Sequence, residues 1–386
     1  MPGHQTEAFA WDRDRAVYGD DHQAFREQVR RFFTREIDAH GDRWERDGVT
    51  DRGFWLRAGE QGLLAPQVPE RWGGAGLDIS FNFIVTEELA YAGAPNGFQT
   101  HSDVCVDYLL HYAADEVRAY WLPKTVDGRA VGAIAMTEPG AGSDLRSIRT
   151  TARRDGADFV VNGSKTYISN GQNADFVITA VRSEDASAGL SLLVIDAGLD
   201  GFKRGRNLDK IGQHSADTSE LYLEDVRVPA VNLLGDEGRG LSMLIRQLPQ
   251  ERLSIAVSCQ AGAQRAYDEA VRFTRERQAF GRAIIDFQNT RFALADMKAS
   301  LQVGWAHLDW AIARHLAGKL TADEAATAKL WHAETQWRIV DAALQLHGGA
   351  GYMNEYPIAK IWRDARVMRI YGGTSEIMKE VIGRTV

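Results

Sequence analysis

The spacing of apolar residues changes twice along the chain, and this double change limits the fold more than any other feature. Between residues 21 and 47, apolar side chains recur at Phe25, Val29, Phe32, Phe33 and Ile37, the spacing of about 3.6 residues that gives a helix one buried stripe. The same spacing predicts helices over 54–64, 84–91 and 117–122, separated by breakers at Glu70, Arg71, Trp72, Gly73, Gly74 and Gly76. The texture then becomes DFVVNG, KTYISNG, DFVITAV, LSLLVID and SELYLEDVRV, short β-branched and aromatic runs punctuated by turn formers. These runs predict a small, mostly antiparallel β-domain. Helical spacing returns over 254–278, 289–317, 322–346 and 375–382, with few Pro or Gly inside. The expected organisation is an α+β chain: an N-terminal helical domain at 1–132, a middle β-domain at 133–240 and a C-terminal helical bundle at 241–386.

With 386 residues, the chain fits about two or three packed units, each able to bury its own core. A formal charge of -8 with both signs interspersed argues against nucleic acid or another polyanion as partner. Cys105 and Cys259 stand far apart, outside any CxxC or Cys/His spacing, so neither a disulfide framework nor a zinc site is expected and a reducing cytoplasm suits the count. The N-terminal MPGHQTEAFAWDRDRAVYGDD has no apolar core and carries acidic residues, which excludes a secretory signal and disfavours a transit peptide. No apolar run approaches membrane-spanning length. HExxH and GxSxG are both absent, so a zinc or serine hydrolase has no supporting constellation.

Several short segments can carry chemistry, and each also has a plain local explanation. Residues 136–144 read MTEPGAGSD. Gly140 and Gly142 let the backbone approach a ligand while Thr137 and Ser143 offer hydroxyls, or the segment is simply a turn-rich connection. In KTYISNG, Tyr167 can lie against a ring system and Ser169 can bond a ring nitrogen; on local grounds alone Tyr167 is expected in the core of an amphipathic strand. RERQAFGR offers Arg277 for a phosphate and Phe280 for a flat ring, or is a charged helix end. LQLHGGAGY has paired glycines expected as a helix C-cap, although the same turn can approach a pyrophosphate. IYGGTSEIM is an ordinary helix start with a Thr/Ser N-cap and Glu376 in the first turn, which can also hold an adenosine or ribityl group. Glu251 in LPQERLSIA is expected at the head of an apolar helix, where a carboxylate ordinarily complements the macrodipole.

Taken together and in this order, AIAMTEPGAGSDL, LPQERL, QLHGGAGYMNEYPIAK and IYGGTSEIMKE resemble the signature set of the acyl-CoA dehydrogenase family, closest to its long-chain type. The likeness runs from about residue 25 to residue 384. It implies N-terminal helices, a middle β-barrel-like domain and a C-terminal four-helix bundle, assembled as a homodimer or homotetramer. It implies FAD held by Met136, Thr137, Gly142 and Ser143, with Tyr167 and Ser169 at the flavin. Arg277, Phe280, Gln288, Gln345 and Gly349 would come from a neighbouring subunit, and Thr374 and Glu376 from the same chain as the flavin loop. Most of the family carries its catalytic Glu directly after the Tyr of the YxGT motif, where this chain has Gly372. Long-chain and isovaleryl types, which LPQERL resembles, place the base at the position matching Glu251.

The resemblance therefore implies α,β-dehydrogenation of an acyl-CoA to the trans-2-enoyl-CoA. Glu251 takes the α-proton, flavin N5 takes the β-hydride, and the Gly372 N–H with the ribityl 2'-hydroxyl polarises the thioester carbonyl. Ser143, Leu248, Arg252, Tyr371 and Gly372 are the expected substrate contacts, with Arg252 ordering the base and Leu248 and Tyr371 as pocket walls. Space is expected beside Gly372, where the usual base is missing. An electron-transfer flavoprotein is the expected acceptor. An oxidase passing electrons to oxygen, a dehydrogenase acting on an acyl-carrier protein, a catalytically silent relative and a family member that oxidises nitroalkanes or hydroxylates amino-sugars, which would not need Glu251, are the alternatives.

Overall fold

The computed structural model describes residues 15–95, 97–183 and 189–386. Residues 1–14, most of the N-terminal stretch for which no targeting signal is expected, lie outside them. The first apolar stripe folds as α1 (Asp20–Asp47), which buries Val29, Phe32 and Phe33 in one cluster with residues of α2 (Arg52–Glu60) and α3 (Ile79–Ala92). Asp51 and Asp78 start α2 and α3 by accepting the backbone N–H groups of Phe54 and Ser80, and Gly93 ends α3 in the left-handed conformation. The helix expected over 54–64 stops at Glu60; Leu63 and Leu64 are fully buried from the turn that follows.

A helical stretch that periodicity did not reveal comes next: α4 (Gly97–Gln99), a π-helical turn (Thr100–Cys105) and α5 (Val106–Tyr112). One wide turn inside a helix rotates everything after it, so the 3.6-residue pattern breaks. Then α6 (Asp115–Val126) leads into the sheet.

Seven strands form that sheet: β1 (Gly132–Ala135), β2 (Thr151–Asp155), β3 (Asp158–Ser169), β4 (Phe176–Ser183), β5 (Leu190–Asp196), β6 (Phe202–Asn207) and β7 (Thr218–Pro229). Their order is β1-β4-β2-β3-β7-β6, with β5 added on β4. Most pairings are antiparallel, but β4 runs parallel to β1 and to β2. DFVVNG and KTYISNG, expected as separate runs, are the single strand β3, whose register on β7 slips between Lys165 and Ile168. That slip is a bulge, and it carries Tyr167 out of the core: the ring is 69% exposed, with φ at 60°. The amphipathic-strand expectation for Tyr167 is thereby corrected.

The third part contains α7 (Gly240–Glu276), a short hairpin of β8 (Gln278–Ala279) and β9 (Arg282–Ala283), α8 (Gln288–Leu316), α9 (Ala322–His347), α10 (Pro357–Ala365) and α11 (Ser375–Gly383). Long helices α8 and α9 pack on α7, as does α3 from the first part. The start of α7 differs from expectation. It begins at Gly240 and runs through Pro249, so Glu251 is an interior residue and the macrodipole explanation for its carboxylate does not apply. Proline is usual in a first turn, where it costs least; Pro249 instead lies inside α7, and the carbonyl it leaves unbonded is that of Ile245, an exposed residue.

A buried charge network ties the first part together. Glu87 on α3 pairs with Arg15 at 2.5 Å and Arg26 at 2.7 Å, Arg26 also meets Glu88 at 2.9 Å, and Arg15 reaches Asp309 on α8 at 2.6 Å. Among the described residues, no helix is long and apolar enough to cross a membrane. Both cysteines are buried free thiols.

Candidate active site

Glu251 lies on α7 where that helix meets α5. It is 8% exposed, and Tyr108 donates its hydroxyl to Glu251 Oε1 at 3.0 Å. Burial, reinforced by the negative charge of Asp107, pushes its carboxyl up to about 7, against the opposing pull of the Tyr108 hydrogen bond and the Arg252 charge. A carboxyl that is half ionised near neutrality can take a proton and give it back, as a general base must. Arg252, the next residue, is itself buried, and its Nε has no hydrogen-bond partner among the described residues.

One helical turn beyond Glu251, on the same face of α7, Ile255 packs with Cys259, Ala333, Met368 and Tyr371. This cluster brings α7 against the turn Tyr371, Gly372, Gly373. Gly372 has φ at 65°, and a Cβ placed there would sit 2.3 Å from Ile255 Cδ1. The end of the Ile255 side chain therefore stands where a Cβ on Gly372 would go, which corrects the expectation of open room there. Lys329, fully buried in α9, holds the turn by donating to the Gly373 carbonyl at 2.7 Å. Burial lowers the Lys329 pKa to about 8. The N-cap expected of Thr374 is present, its hydroxyl accepting from Ile377 N at 3.3 Å.

Gly372→Glu is expected to destabilise the protein by about 3 kcal/mol, combining left-handed backbone strain with overpacking. Adding Ile255→Ala removes the colliding atoms and should recover the packing part. Comparing thermal transitions of the single and double variants checks this; equal transitions for wild type and Gly372→Glu would contradict the collision.

The loop after β1 is fixed from below by residues that sequence inspection did not single out. Glu138 accepts from Lys165 Nζ at 2.8 Å, Thr150 Oγ1 at 2.6 Å and Arg149 N at 2.6 Å, while Lys165 also reaches the carbonyls of Met136 and Ala180. Thr166 N donates to Thr137 O at 2.9 Å, so the Met136–Thr137 backbone lies beside the β3 bulge that presents Tyr167 and Ser169. On the loop itself, Gly142 and Ser143 are exposed, and a Cβ on Gly140 or Gly142 would touch nothing within 4 Å. Open backbone beside an outward aromatic ring suits a flat polar cofactor.

A second exposed group gathers where α7 and α9 end together, joined by the stacked rings of Phe273 and His347, 4.3 Å apart. Arg277, Gln288, Gln345 and Gly349 are all exposed there, and Phe280 at the hairpin tip is 96% exposed. Gly348 is the C-cap of α9, as expected of the paired glycines. Leu248 lies half-buried on α7, Tyr371 half-buried on the Gly372 turn, and Glu376 exposed on α11.

Tyr108, Ile255 and Lys329 were missed. For Tyr108 there is no local signal, since its partner is 143 residues away. Ile255 was open to discovery from its one-turn spacing to Glu251, and Lys329 from its place as a lone cation in an alanine-rich helical run.

Three family models cover the chain: the acyl-CoA dehydrogenase N-terminal domain over residues 19–129, the middle domain over 133–226 and the C-terminal domain over 238–386. The long-chain specific acyl-CoA dehydrogenase of Sus scrofa mitochondria is 43% identical over 377 residues, 96% of this chain and 88% of that one. Among solved structures, acyl-CoA dehydrogenase from Geobacillus kaustophilus superposes with a TM-score of 0.94 at 41% identity, covering 96% of this chain and 99% of the other. A glutaryl-CoA dehydrogenase from Mycobacterium smegmatis in complex with FADH2 does so with a TM-score of 0.90 at 25% identity, covering 97% and 96%.

Proposed function

Because the chain belongs to the acyl-CoA dehydrogenase family, we propose that Glu251 is the base of its FAD-dependent acyl-CoA dehydrogenation. The observation that carries this assignment is a buried interior carboxylate on the helix that packs against the Gly372 turn, and burial raises its pKa.

FAD, when bound, supplies the acceptor for the β-hydride. The open loop at Met136, Thr137, Gly142 and Ser143, with Tyr167 and Ser169 beside it, fits that group and would hold it from this chain. Thr374 and Glu376 would hold it from the turn before α11. Arg277, Phe280, Gln288, Gln345 and Gly349 would serve the FAD of a neighbouring copy. The protein then acts as a homodimer or a dimer of dimers, an assembly that would also cover Phe280 and Tyr352, which are 96% and 84% exposed in the single chain.

An α-proton of a thioester is weakly acidic, so its removal needs a close base and a donor on the carbonyl. Glu251 removes the proton, and the Gly372 N–H donates to the thioester oxygen as negative charge develops there. Lys329 keeps that N–H in place through the Gly373 carbonyl. Leu248 and Tyr371 wall the acyl group, Ser143 and Arg252 contact the substrate, and Ile255 limits its width beside Gly372. The product is the trans-2-enoyl-CoA.

An electron-transfer flavoprotein would reoxidise the flavin, and two buried free thiols suit a reducing cytoplasm. The oxidase and carrier-protein alternatives are not favoured, since the relatives named above are acyl-CoA and glutaryl-CoA dehydrogenases.

Mixing the anaerobic holoprotein with acyl-CoA thioesters of graded length and branching tests the assignment of substrate class. One subset is expected to bleach the flavin absorbance. A bound flavin that no acyl-CoA bleaches would contradict the proposal. Straight chains should outpace those branched near the thioester, because Ile255 occupies the space beside Gly372.

A further inference from the structure

The hydroxyl of Tyr108 makes one hydrogen bond among the described residues, to Glu251 Oε1 at 3.0 Å, and its ring is fully buried. Its position is set by the π-helical turn just before α5. Asp103 in that turn accepts from Asn82 Nδ2 at 3.1 Å and Thr86 Oγ1 at 3.0 Å on α3, and from Ser254 Oγ on α7. Gln250 Nε2 on α7 donates to the Asp103 carbonyl at 3.1 Å. Gln250 and Ser254 stand on either side of Glu251 in the chain, so the turn is stapled to α7 both before and after the carboxylate. A π turn re-aims the residues that follow it, and such turns concentrate at functional sites; here the residue re-aimed at Glu251 is Tyr108.

We propose that Tyr108 is a positioning residue for the base: by donating to Oε1 it fixes the Glu251 carboxylate so that Oε2 is the oxygen that takes the α-proton. This rests on Glu251 being the base. Oε1 stays hydrogen-bonded to the tyrosine throughout, the new O–H bond forms on Oε2 as the α-C–H bond breaks, and the electron pair remains on the substrate as the enolate. Tyr108 neither gains nor loses a proton.

The other charged or titratable groups facing Glu251 are Asp107 and Cys105, on α5 and the π turn, and Arg252 on α7. Asp107 is held by His111, whose Nδ1 lies 3.4 Å from its carboxylate; the hydrogen bond to Asp107 raises the His111 pKa to about 9, so His111 is cationic at neutral pH and offsets the Asp107 charge. Among the described residues, Tyr108 is the group that reaches the carboxylate with a hydrogen bond.

The test is Tyr108→Phe in the FAD-loaded enzyme, followed by the rate of anaerobic flavin bleaching by a saturating acyl-CoA across pH. A donor to a carboxylate favours its ionised form, so losing it raises the Glu251 pKa. The acid limb of the rate should move up by roughly one pH unit, and the limiting rate should fall about tenfold through misorientation, with acyl-CoA affinity unchanged. A limb and rate matching wild type would overturn the assignment. Replacing Tyr108 with 3-fluorotyrosine, a stronger donor of nearly the same size, should move the limb down; damage to packing does not give shifts of opposite sign, and a limb that stays put or rises would also overturn it. Glu251→Gln separates the two claims: wild-type bleaching by that variant removes the base itself, whereas an inactive Glu251→Gln beside a wild-type limb in Tyr108→Phe removes only the role given to Tyr108.

Discussion

Glu251→Gln is expected to keep the fold, the FAD and acyl-CoA binding while turnover falls by roughly 10²–10⁴-fold, the usual contribution of a positioned general base. The amide has nearly the shape of the carboxylate, and its oxygen can still accept from Tyr108, so the loss is specific to proton transfer. Steady-state turnover with an artificial electron acceptor, beside equilibrium binding of acyl-CoA, reads both halves. Stability should change in the opposite direction. The carboxyl titrates near 7 in the folded protein against an ordinary value of 4.5, so folding takes up a proton between those values. Its burial costs nothing below the ordinary value, costs more as pH rises toward 7, and costs on the order of 3 kcal/mol beyond it. The glutamine variant should therefore melt higher than wild type at pH 8 and level with it at pH 4. A lower melting point at pH 8 would contradict a carboxylate whose burial outweighs its partners. The same steric argument that fills the space beside Gly372 implies that Gly372→Glu does not restore turnover to Glu251→Gln unless Ile255 is also shortened.

Glu87→Ala is expected to cost about 3–5 kcal/mol, the typical loss when one partner of a buried ion pair is removed. Glu87 is 2% exposed and answers both Arg15 and Arg26, which are equally enclosed; without it two guanidinium groups remain in a site that water does not reach. The two arginines hold the Glu87 carboxyl below its ordinary value despite the burial that opposes them. A lowered folded pKa stabilises above the unfolded pKa and is lost as pH falls through the folded one, so the penalty should be full at neutral pH and shrink in strong acid. Glu27→Ala is the control, because the Glu27–Arg31 pair is 72% exposed on both sides and such pairs contribute about 0–1 kcal/mol. Thermal transitions of the holoprotein measure both, and equal transitions for the two variants would contradict the network's role.

How far the sequence foretold this molecule depended on whether a signal was local. Long helices were legible because their apolar stripes repeat within one segment, as in α1 and α9, and the Thr374 cap and the Gly348 turn were legible because capping is short-range chemistry. Glu251 was recognised by its motif but misplaced on its helix, since the apolar run that follows it imitates a helix start although α7 begins at Gly240. The helical stretch before Tyr112 stayed hidden because the π turn breaks the period that reveals helices. Tyr167 was drawn inward by strand alternation, which a bulge in β3 then overrode. Tyr108 with Glu251, and Ile255 with Gly372, are contacts across the fold that no window of sequence contains. On the proposed reading they would also decide which oxygen of the base works and how much room the substrate has.

The single-turnover rate at which an acyl-CoA bleaches the flavin, measured anaerobically across pH in the wild type and in Glu251→Gln, decides whether Glu251 is the base. The wild-type rate should climb as pH rises through about 7, where the Glu251 carboxyl loses its proton, while the variant keeps its flavin and fails to bleach on that timescale at any pH. Bleaching by Glu251→Gln at the wild-type rate would contradict the assignment and place the base elsewhere.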